Sequence, residues 1–191
     1  LLEEIKDVLE EGKHIIMSVV SGATISAIQN VINKKVSIVR AMPNTAIAIQ
    51  ESMTCLSSDD KEALESAEKI FNTLGTSLVI KEELMGPATA LCACGIAFFL
   101  RAIRAASQGG IEIGFHAEEA ILMAAQTAKG AASLLLENKN HPENEVDKVT
   151  TPRGITISGL NQMEHHGFSS AMIKGIVTSA EKAAKIYADK T

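Results

Sequence analysis

Residues 150–156, Thr-Thr-Pro-Arg-Gly-Ile-Thr, combine the residue types that can bind a small anion. The segment lies between two helical patterns, so its last residues are predicted to begin a helix. Unpaired N–H groups at the start of a helix attract anions, and a carboxylate is a natural ligand for them. Pro152 restricts the backbone, and Gly154 lets a ligand approach closely. A Thr-Pro pair before a helix is more often an ordinary helix start, so this motif alone is weak evidence for a binding site.

A second group of polar residues follows two predicted strands. The tetrapeptide Met42-Pro43-Asn44-Thr45 comes directly after the apolar run at residues 36–41, and Ser21-Gly22 follows the run at residues 14–20. In open α/β sheets, ligands bind outside the carboxyl ends of the strands. The two loops are therefore predicted to share one edge of the sheet, although periodicity alone indicates no more than an ordinary turn at residues 42–45.

The elements that would position these loops alternate along the first part of the chain. Apolar residues at helical spacing, which predict helices, are found at residues 1–11, 23–32 and 59–74. Short apolar runs that predict strands are found at residues 14–20, 36–41, 52–56 and 76–80. Such alternation predicts an α/β domain.

From residue 82 onward only helices are predicted. They cover residues 88–106, 117–136, 155–164 and 170–188, with a loop predicted at Gly109-Gly110. The first two are rich in Ala and apolar on nearly every side, so about 110 residues offer too few elements to cover them. We expect a second copy of the chain to do so, with a compact monomeric bundle as the alternative.

Charge and hydropathy exclude several classes of partner. The net charge is -5 and the 18 Lys and Arg residues are scattered, so we expect no nucleic-acid partner. The longest apolar run, residues 95–100, is shorter than the roughly 20 residues needed to cross a bilayer, so we expect no membrane partner. The first residues lack the features of a signal peptide, which makes the cytoplasm the expected location.

The three cysteines, Cys55, Cys92 and Cys94, form no CxxC pair and have no nearby His at ligand spacing. Neither a disulfide framework nor a metal site is predicted, and the thiols are expected to be small core residues in a reducing compartment. His116 and His141 lie at predicted helix ends, where a loop or cap role is favoured over catalysis.

Several segments, taken together, resemble the pyrroline-5-carboxylate reductase family. They occur in that family's order and spacing over nearly the whole chain, and the most specific part is the Thr-Pro loop with the Leu-x-x-Met-Glu and Gly-Phe motifs after it. The segments are residues 39–45 (Val-Arg-Ala-Met-Pro-Asn-Thr), 109–114 (Gly-Gly-Ile-Glu-Ile-Gly), 125–127 (Ala-Gln-Thr), 130–131 (Gly-Ala), 150–156, 159–160 (Gly-Leu), Met163-Glu164 and Gly167-Phe168.

The resemblance implies an oxidoreductase that transfers hydride from NADPH or NADH to the imine carbon of 1-pyrroline-5-carboxylate, giving L-proline. It also implies a fold: part of a Rossmann-type α/β domain at residues 1–81, followed by an all-α substrate-binding and dimerisation domain at residues 82–191. The helices predicted from periodicity agree with this plan. A homodimer is expected, and a higher assembly of dimers is compatible with the resemblance.

By the same resemblance, the backbone of Gly154, Ile155 and Thr156 would hold the substrate carboxylate, with Thr151 beside it. The Thr156 hydroxyl would lie near the ring nitrogen and act as the catalytic group. A cyclic imine activated by protonation needs orientation and one hydrogen bond more than it needs a strong base. Glu82 matches an acidic residue near the substrate, and the alternative is a carboxylate that only stabilises a helix start.

On the cofactor side, the resemblance assigns Val20, Ser21 and Gly22 to the loop that passes the nicotinamide, and Asn44 to the adjoining motif. The choice between NADP and NAD stays open. No Gly-x-Gly-x-x-Gly turn follows a first strand, so we expect the 191-residue chain alone to bind dinucleotide poorly and to be inactive.

Several positions depart from the family pattern, and one of them, Arg153, leaves two alternatives open. Arg153 stands where the family usually has Gly, and its guanidinium could either contact the substrate carboxylate or obstruct the pocket. Residues 92–96 replace a segment of the Ser-Gly-Ser-Gly-Pro type. The chain could also act only as a dimerisation module, or reduce a related imine or 3-hydroxy acid, but the Thr-Pro loop favours the proline-forming reductase.

Overall fold

The computed structural model describes residues 1–188 of the chain, with side chains up to residue 185. The chain forms two compact units, which are described separately. The first contains residues 1–96 together with the stretch from Gly175 onward, and the second is Ala97–Lys174.

Strands and helices alternate in the first unit, as the sequence predicts. The strands are β1 (Ile15–Ser18), β2 (Ser37–Met42), β3 (Ser52–Ser57) and β4 (Gly75–Val79). Helix α1 (Leu2–Ile5) precedes β1, α2 (Ile25–Ile32) connects β1 to β2, and α3 (Lys61–Phe71) connects β3 to β4. The helix predicted at residues 1–11 is too long, because α1 passes into a 3-10 turn at Lys6–Val8 and the chain then becomes irregular.

The four strands form one mixed sheet in the order β1-β2-β3-β4. Strand β1 pairs with β2 in parallel, β2 with β3 antiparallel, and β3 with β4 in parallel. Only residues 43–51 connect β2 to β3, and a parallel crossover needs a dozen residues or more, so the chain must reverse direction.

Successive residues of β2 point to opposite faces of the sheet, and each face is covered by one helix. Val39 and Ala41 pack with the apolar face of α3. Val36 and Ile38 belong to a second cluster, which contains Ile28 and Ile32 of α2. These two clusters hold β2 inside the sheet next to the outer strand β1, and the carboxyl ends of these two parallel strands lie at one edge.

The segment after β4 packs against this sheet before the long helices begin. It consists of a 3-10 turn at Glu82–Leu84, helix α4 (Met85–Ala88) and a π-helical turn at Thr89–Ala93. Met85 is buried in one cluster with Met42 and Cys55. Residues 82–93 therefore belong to the same compact unit as the strands.

The remaining elements are helical. They are α5 (Gly95–Glu112), α6 (Ala117–Asn138), α7 (Pro142–Lys148), α8 (Ile155–His165) and α9 (Phe168–Ala188). His116 and His141 are the N-cap residues of α6 and α7, as expected of residues at helix ends.

The loop predicted at Gly109-Gly110 is wrong, because both glycines lie inside α5. A Cβ atom on Gly110 would lie 3.1 Å from the Cβ of Ala120 in α6, which is tighter than an ordinary contact. The glycine is therefore used for close helix packing and not as a helix breaker. The turn comes later, at Gly114, whose φ is 114°.

Many large apolar side chains of α5 and α6 stay exposed in the described chain. Phe99, Leu100 and Leu122 are 61%, 59% and 70% exposed. The helical stretch Glu82–Glu112 is also long and apolar enough to cross a membrane by length and composition, with a mean hydropathy of 1.6 and 17% of its most apolar part buried. The sequence analysis considered only uninterrupted apolar runs, so it underestimated the length of this apolar helical stretch.

Candidate functional site

Helix α8 begins with the loop that the sequence singles out as an anion site. Its N-cap is Gly154, which has no side chain that could accept a hydrogen bond from the first turn. The structure records no hydrogen bond from the N–H groups of Ile155 and Thr156 to any described residue. The N–H of Gly154 itself donates to the Thr151 carbonyl oxygen at 2.9 Å. The donors available to an anion are therefore those of Ile155 and Thr156, while Gly154 closes the turn.

Glycine is required at position 154 by its close approach to Thr151. A Cβ atom there would lie 2.5 Å from Thr151 Oγ1 and 2.9 Å from the Thr151 carbonyl oxygen. The Ile155 side chain is 93% exposed at the first position of the helix, and Thr156 is half-buried. The loop thus presents two free N–H groups beside two hydroxyls, those of Thr151 and Thr156. That these groups bind substrate stays a prediction.

Arg153, in the same loop, has a left-handed backbone with φ of 59°. This conformation costs an L-residue roughly 1–2 kcal/mol relative to glycine. The glycine that the family resemblance expects at this position fits the observed backbone better than the arginine does. The Arg153 side chain is exposed, so the backbone conformation and not burial explains the preference for glycine.

The two candidate cofactor loops meet at the carboxyl edge of β1 and β2. The Ser21 hydroxyl lies 3.9 Å from the Met42 sulfur, so the loops lie side by side as the strand pattern predicts. Gly22 is buried with φ of 85°, a backbone conformation that favours glycine. Val20 is 58% exposed beside it. The edge therefore presents an apolar side chain and a hydroxyl next to a tight glycine turn.

Asn44 shapes this edge with each of its polar groups. Its side-chain oxygen accepts a hydrogen bond from Ala46 N–H at 3.1 Å, which caps the 3-10 turn Thr45–Ile49. Its amide nitrogen lies 3.5 Å from the Cys92 carbonyl oxygen, and its backbone N–H donates to the Ser52 hydroxyl at 3.2 Å. Asn44 thus connects the end of β2 to the π-helical turn, and its part in cofactor binding stays a prediction.

Glu82 makes two contacts with residues that are far from it in the sequence. Its Oε1 accepts hydrogen bonds from Arg40 Nη1 at 3.0 Å and from Ile25 N–H at 2.7 Å. Arg40 is only 2% exposed, and Glu82 is 34% exposed. The carboxylate therefore caps the positive end of α2 as well as pairing with a buried cation. The sequence signal for this pair was Arg40 itself, because a charged residue inside the apolar run at residues 36–41 indicates an oppositely charged partner.

The family model for pyrroline-5-carboxylate reductase dimerisation matches residues 82–186. Pyrroline-5-carboxylate reductase 2 of Dictyostelium discoideum is 55% identical over 205 residues, covering 98% of this chain and 68% of that protein. The chain belongs to the pyrroline-5-carboxylate reductase family. Pyrroline-5-carboxylate reductase 1 of the same organism is 65% identical over 204 residues. The chain, matched over 100% of its length, spans 37% of that relative.

Solved structures of pyrroline-5-carboxylate reductases share the fold of this chain. The reductase from Coxiella burnetii aligns with a TM-score of 0.91 at 28% identity, over 97% of this chain and 70% of the other. The Plasmodium falciparum pyrroline carboxylate reductase, whose crystal structure has NADP bound, aligns with a TM-score of 0.88 at 25% identity. That alignment covers 97% of this chain and 75% of the other. The Rossmann-type α/β part followed by helices is therefore the family's fold.

Proposed function

We propose that the intact protein containing this chain reduces 1-pyrroline-5-carboxylate to L-proline with NADP or NAD in its reduced form, the last step of proline biosynthesis. The observation that carries this proposal is the 55% identity to pyrroline-5-carboxylate reductase 2 over most of that protein's length. The start of α8 supports it independently, because its free donors suit a small cyclic acid. The similarities favour this reaction over reduction of a related imine or a 3-hydroxy acid.

The start of α8 is proposed to bind and orient the substrate. The N–H groups of Ile155 and Thr156 lie at the positive end of a helix of 11 residues, where a carboxylate is stabilised. With the carboxylate held there, the adjacent Thr156 hydroxyl can accept or donate a hydrogen bond at the ring nitrogen. Thr151 lines the same turn, and Gly154 keeps it tight. These residues supply orientation and one hydrogen bond, which is what a protonated imine requires.

The carboxyl edge of β1 and β2 is proposed to receive the nicotinamide. The cofactor supplies a hydride when it is bound. The glycine turn at Gly22 permits close approach of a flat ring, and the Ser21 hydroxyl and the exposed Val20 can contact it from one side. Asn44 holds the neighbouring loop in place. The NADP in the Plasmodium falciparum structure supports NADP as the cofactor, with NAD as the alternative.

We further propose that the protein is a cytoplasmic homodimer whose partner copy covers α5 and α6. The apolar side chains exposed on these helices support this, since Leu122 and Leu136 are 70% and 79% exposed. Residues 82–186 match a dimerisation family, and that match favours a protein partner over a lipid bilayer as the cover of Glu82–Glu112. The three free thiols suit the reducing conditions of the cytoplasm.

Steady-state kinetics of the intact purified protein test the reaction. We expect turnover of 1-pyrroline-5-carboxylate with NADPH or NADH, and at least tenfold lower kcat/KM for a six-membered cyclic imine acid. Oxidation of a 3-hydroxy acid by NADP+ should be undetectable. Faster turnover of either alternative substrate would replace the proposed reaction with that one.

A further inference from the structure

The thiols of Cys55 and Cys92 face each other, although 37 residues separate them in the sequence. The two sulfur atoms are 4.0 Å apart. Cys55 lies in β3, and Cys92 lies in the π-helical turn Thr89–Ala93 that packs over the sheet. Neither thiol is part of the proposed substrate or cofactor contacts.

The pair combines one buried thiol with one that reaches the surface. Cys55 is 3% exposed and lies in a cluster with Met42 and Met85, whereas Cys92 packs at the edge of that cluster and is partly exposed. A solute can therefore reach the Cys92 thiol first, and the buried Cys55 thiol can then react with Cys92. Cys94, two residues further along the same segment, shares the partial exposure of Cys92, but the thiol that contacts Cys55 is that of Cys92.

The electrostatics of the pair favour the outer thiolate. The contact with the Cys55 thiol lowers the pKa of Cys92 to about 7, while burial acts in the opposite direction. The same interaction and burial raise the pKa of Cys55. Among the residues of this hydrophobic cluster, Cys55 is the titratable group in contact with Cys92. The lowered pKa and the partial exposure of Cys92 make it the nucleophile of the pair.

We propose that Cys55 and Cys92 are a redox modification site, at which a peroxide converts the two thiols into a reversible intramolecular disulfide. The Cys92 thiolate attacks one peroxide oxygen, the O–O bond breaks, and a sulfenic acid forms on Cys92, while the departing hydroxide takes up the proton that Cys92 had released and leaves as water. The Cys55 sulfur then attacks the Cys92 sulfur, the S–O bond breaks, and the hydroxyl group leaves as a second water with the proton of the Cys55 thiol. Two thiols and one hydrogen peroxide thus give one disulfide and two waters, and a dithiol reductant reverses the change.

The disulfide has a structural consequence for the neighbouring loop. A disulfide bond is about 2.05 Å long, so the sulfur atoms must approach by roughly 2 Å, which shifts the π-helical turn or rotates both side chains. The carbonyl of Cys92 lies 3.5 Å from the Asn44 amide nitrogen, which belongs to the proposed cofactor edge. Oxidation is therefore expected to weaken nucleotide binding, a consequence that rests on the proposed function.

Peptide mapping of the intact protein tests the modification itself. Cleavage after Arg40, Lys61, Lys81 and Arg101 places Cys55 in peptide 41–61 and both Cys92 and Cys94 in peptide 82–101. After treatment with hydrogen peroxide and blocking of free thiols, we expect these two peptides to be linked in unreduced digests. The link should disappear on treatment with dithiothreitol.

Single substitutions identify the partners. The link should persist in Cys94→Ser, the matched control, and be absent in Cys92→Ser and in Cys55→Ala. If replacement of the buried Cys55 impairs folding, Cys92→Ser still tests whether the link depends on this pair. A sulfenic or sulfonic acid on Cys92 without a link to Cys55, or a link that survives in Cys92→Ser, would overturn the proposal.

Nucleotide binding is measured separately by titrating NADPH into the reduced and the oxidised protein. We expect at least a threefold rise in Kd on oxidation in the wild type and in Cys94→Ser, and no change in Cys92→Ser. An unchanged Kd in a protein that carries the mapped disulfide would contradict the proposed effect of oxidation on nucleotide binding through Asn44. Absence of NADPH binding in the reduced protein would instead contradict the proposed function and leave the mapped disulfide unaffected.

Discussion

The carboxylate of Glu82 and the guanidinium of Arg40 form an ion pair with 3.0 Å between Oε1 and Nη1, and the arginine is almost completely buried. Because the same oxygen accepts the Ile25 N–H, this pair joins β2, the first turn of α2 and the start of the segment that leads to the long helices. A buried cation that loses its carboxylate keeps the cost of its desolvation without the compensating attraction.

Replacing Glu82 with Ala should therefore lower the free energy of unfolding by about 2 kcal/mol, and replacing it with Gln by about 1 kcal/mol, because glutamine keeps an acceptor. Urea denaturation of both variants measures this. Lys81–Glu83 is a more exposed ion pair next to it, so Glu83→Ala is the matched control and should change stability little. Equal stability of wild type and Glu82→Ala would show that the pair contributes nothing.

Thr156→Val tests the proposed catalytic hydroxyl, because valine keeps the shape of the side chain and removes the hydrogen bond. We expect kcat/KM for 1-pyrroline-5-carboxylate to fall by about tenfold or more, or about 1.4 kcal/mol, with KM for NADPH unchanged. Thr150→Val is the control, since the Thr150 hydroxyl already donates a hydrogen bond to the Val146 carbonyl oxygen at 2.7 Å. Wild-type kinetics in Thr156→Val would refute the role of this hydroxyl.

Arg153 has left-handed backbone geometry, so the stability of its variants should depend on how readily the new residue adopts a positive φ. Arg153→Gly removes strain but makes the unfolded chain more flexible, and its net effect on stability should stay within about 1 kcal/mol. Arg153→Val should be less stable than Arg153→Gly by about 1–2 kcal/mol, because a β-branched residue disfavours positive φ. Thermal unfolding of both variants checks this order.

The kinetics of Arg153→Gly address the open question about the guanidinium. Because backbone N–H groups are available to the carboxylate in this loop, we expect KM for the imine to stay within about twofold of wild type. A clear rise in KM would mean that the guanidinium contacts the substrate carboxylate.

The two neighbouring glycines of α5 should respond in opposite ways to substitution. A side chain at Gly109 meets nothing within 4 Å, so Gly109→Ala should stabilise the protein by about 0.5–1 kcal/mol through helix propensity. A side chain at Gly110 presses against Ala120, so Gly110→Val should destabilise it by about 1–3 kcal/mol. Chemical denaturation of the two variants gives the comparison, and the same sign for both would contradict the packing described for α5 and α6.

Leu122→Glu tests the proposed dimer surface, since this side chain is 70% exposed in the described chain. Placing a charge in an apolar interface should raise the dimer dissociation constant by at least tenfold. Val8 is also 70% exposed but lies outside the long helices, so Val8→Glu should leave assembly unchanged. Sedimentation velocity at micromolar concentration measures both, and a wild-type protein that sediments as a monomer would reject the dimer.

Local patterns in the sequence determined the alternation of strands and helices and the position of the Thr-Pro loop before α8, which is proposed to bind the substrate carboxylate. Hydrophobic periodicity and helix-start signals act over a few residues, so they can be read without knowledge of the fold. The order of the family motifs likewise needs only the sequence, which is why the reductase resemblance does not depend on the fold.

Tertiary structure decided the contacts that join distant residues. Arg40 meets Glu82 and Cys55 meets Cys92 because residues 82–93 fold back over the sheet, which no local pattern specifies. The sequence pattern of Gly109-Gly110 predicts a break, but the close approach of Ala120 makes a glycine inside the helix favourable. The reason is general: periodicity reports which face of an element is apolar, whereas the partner on that face depends on how the whole chain packs.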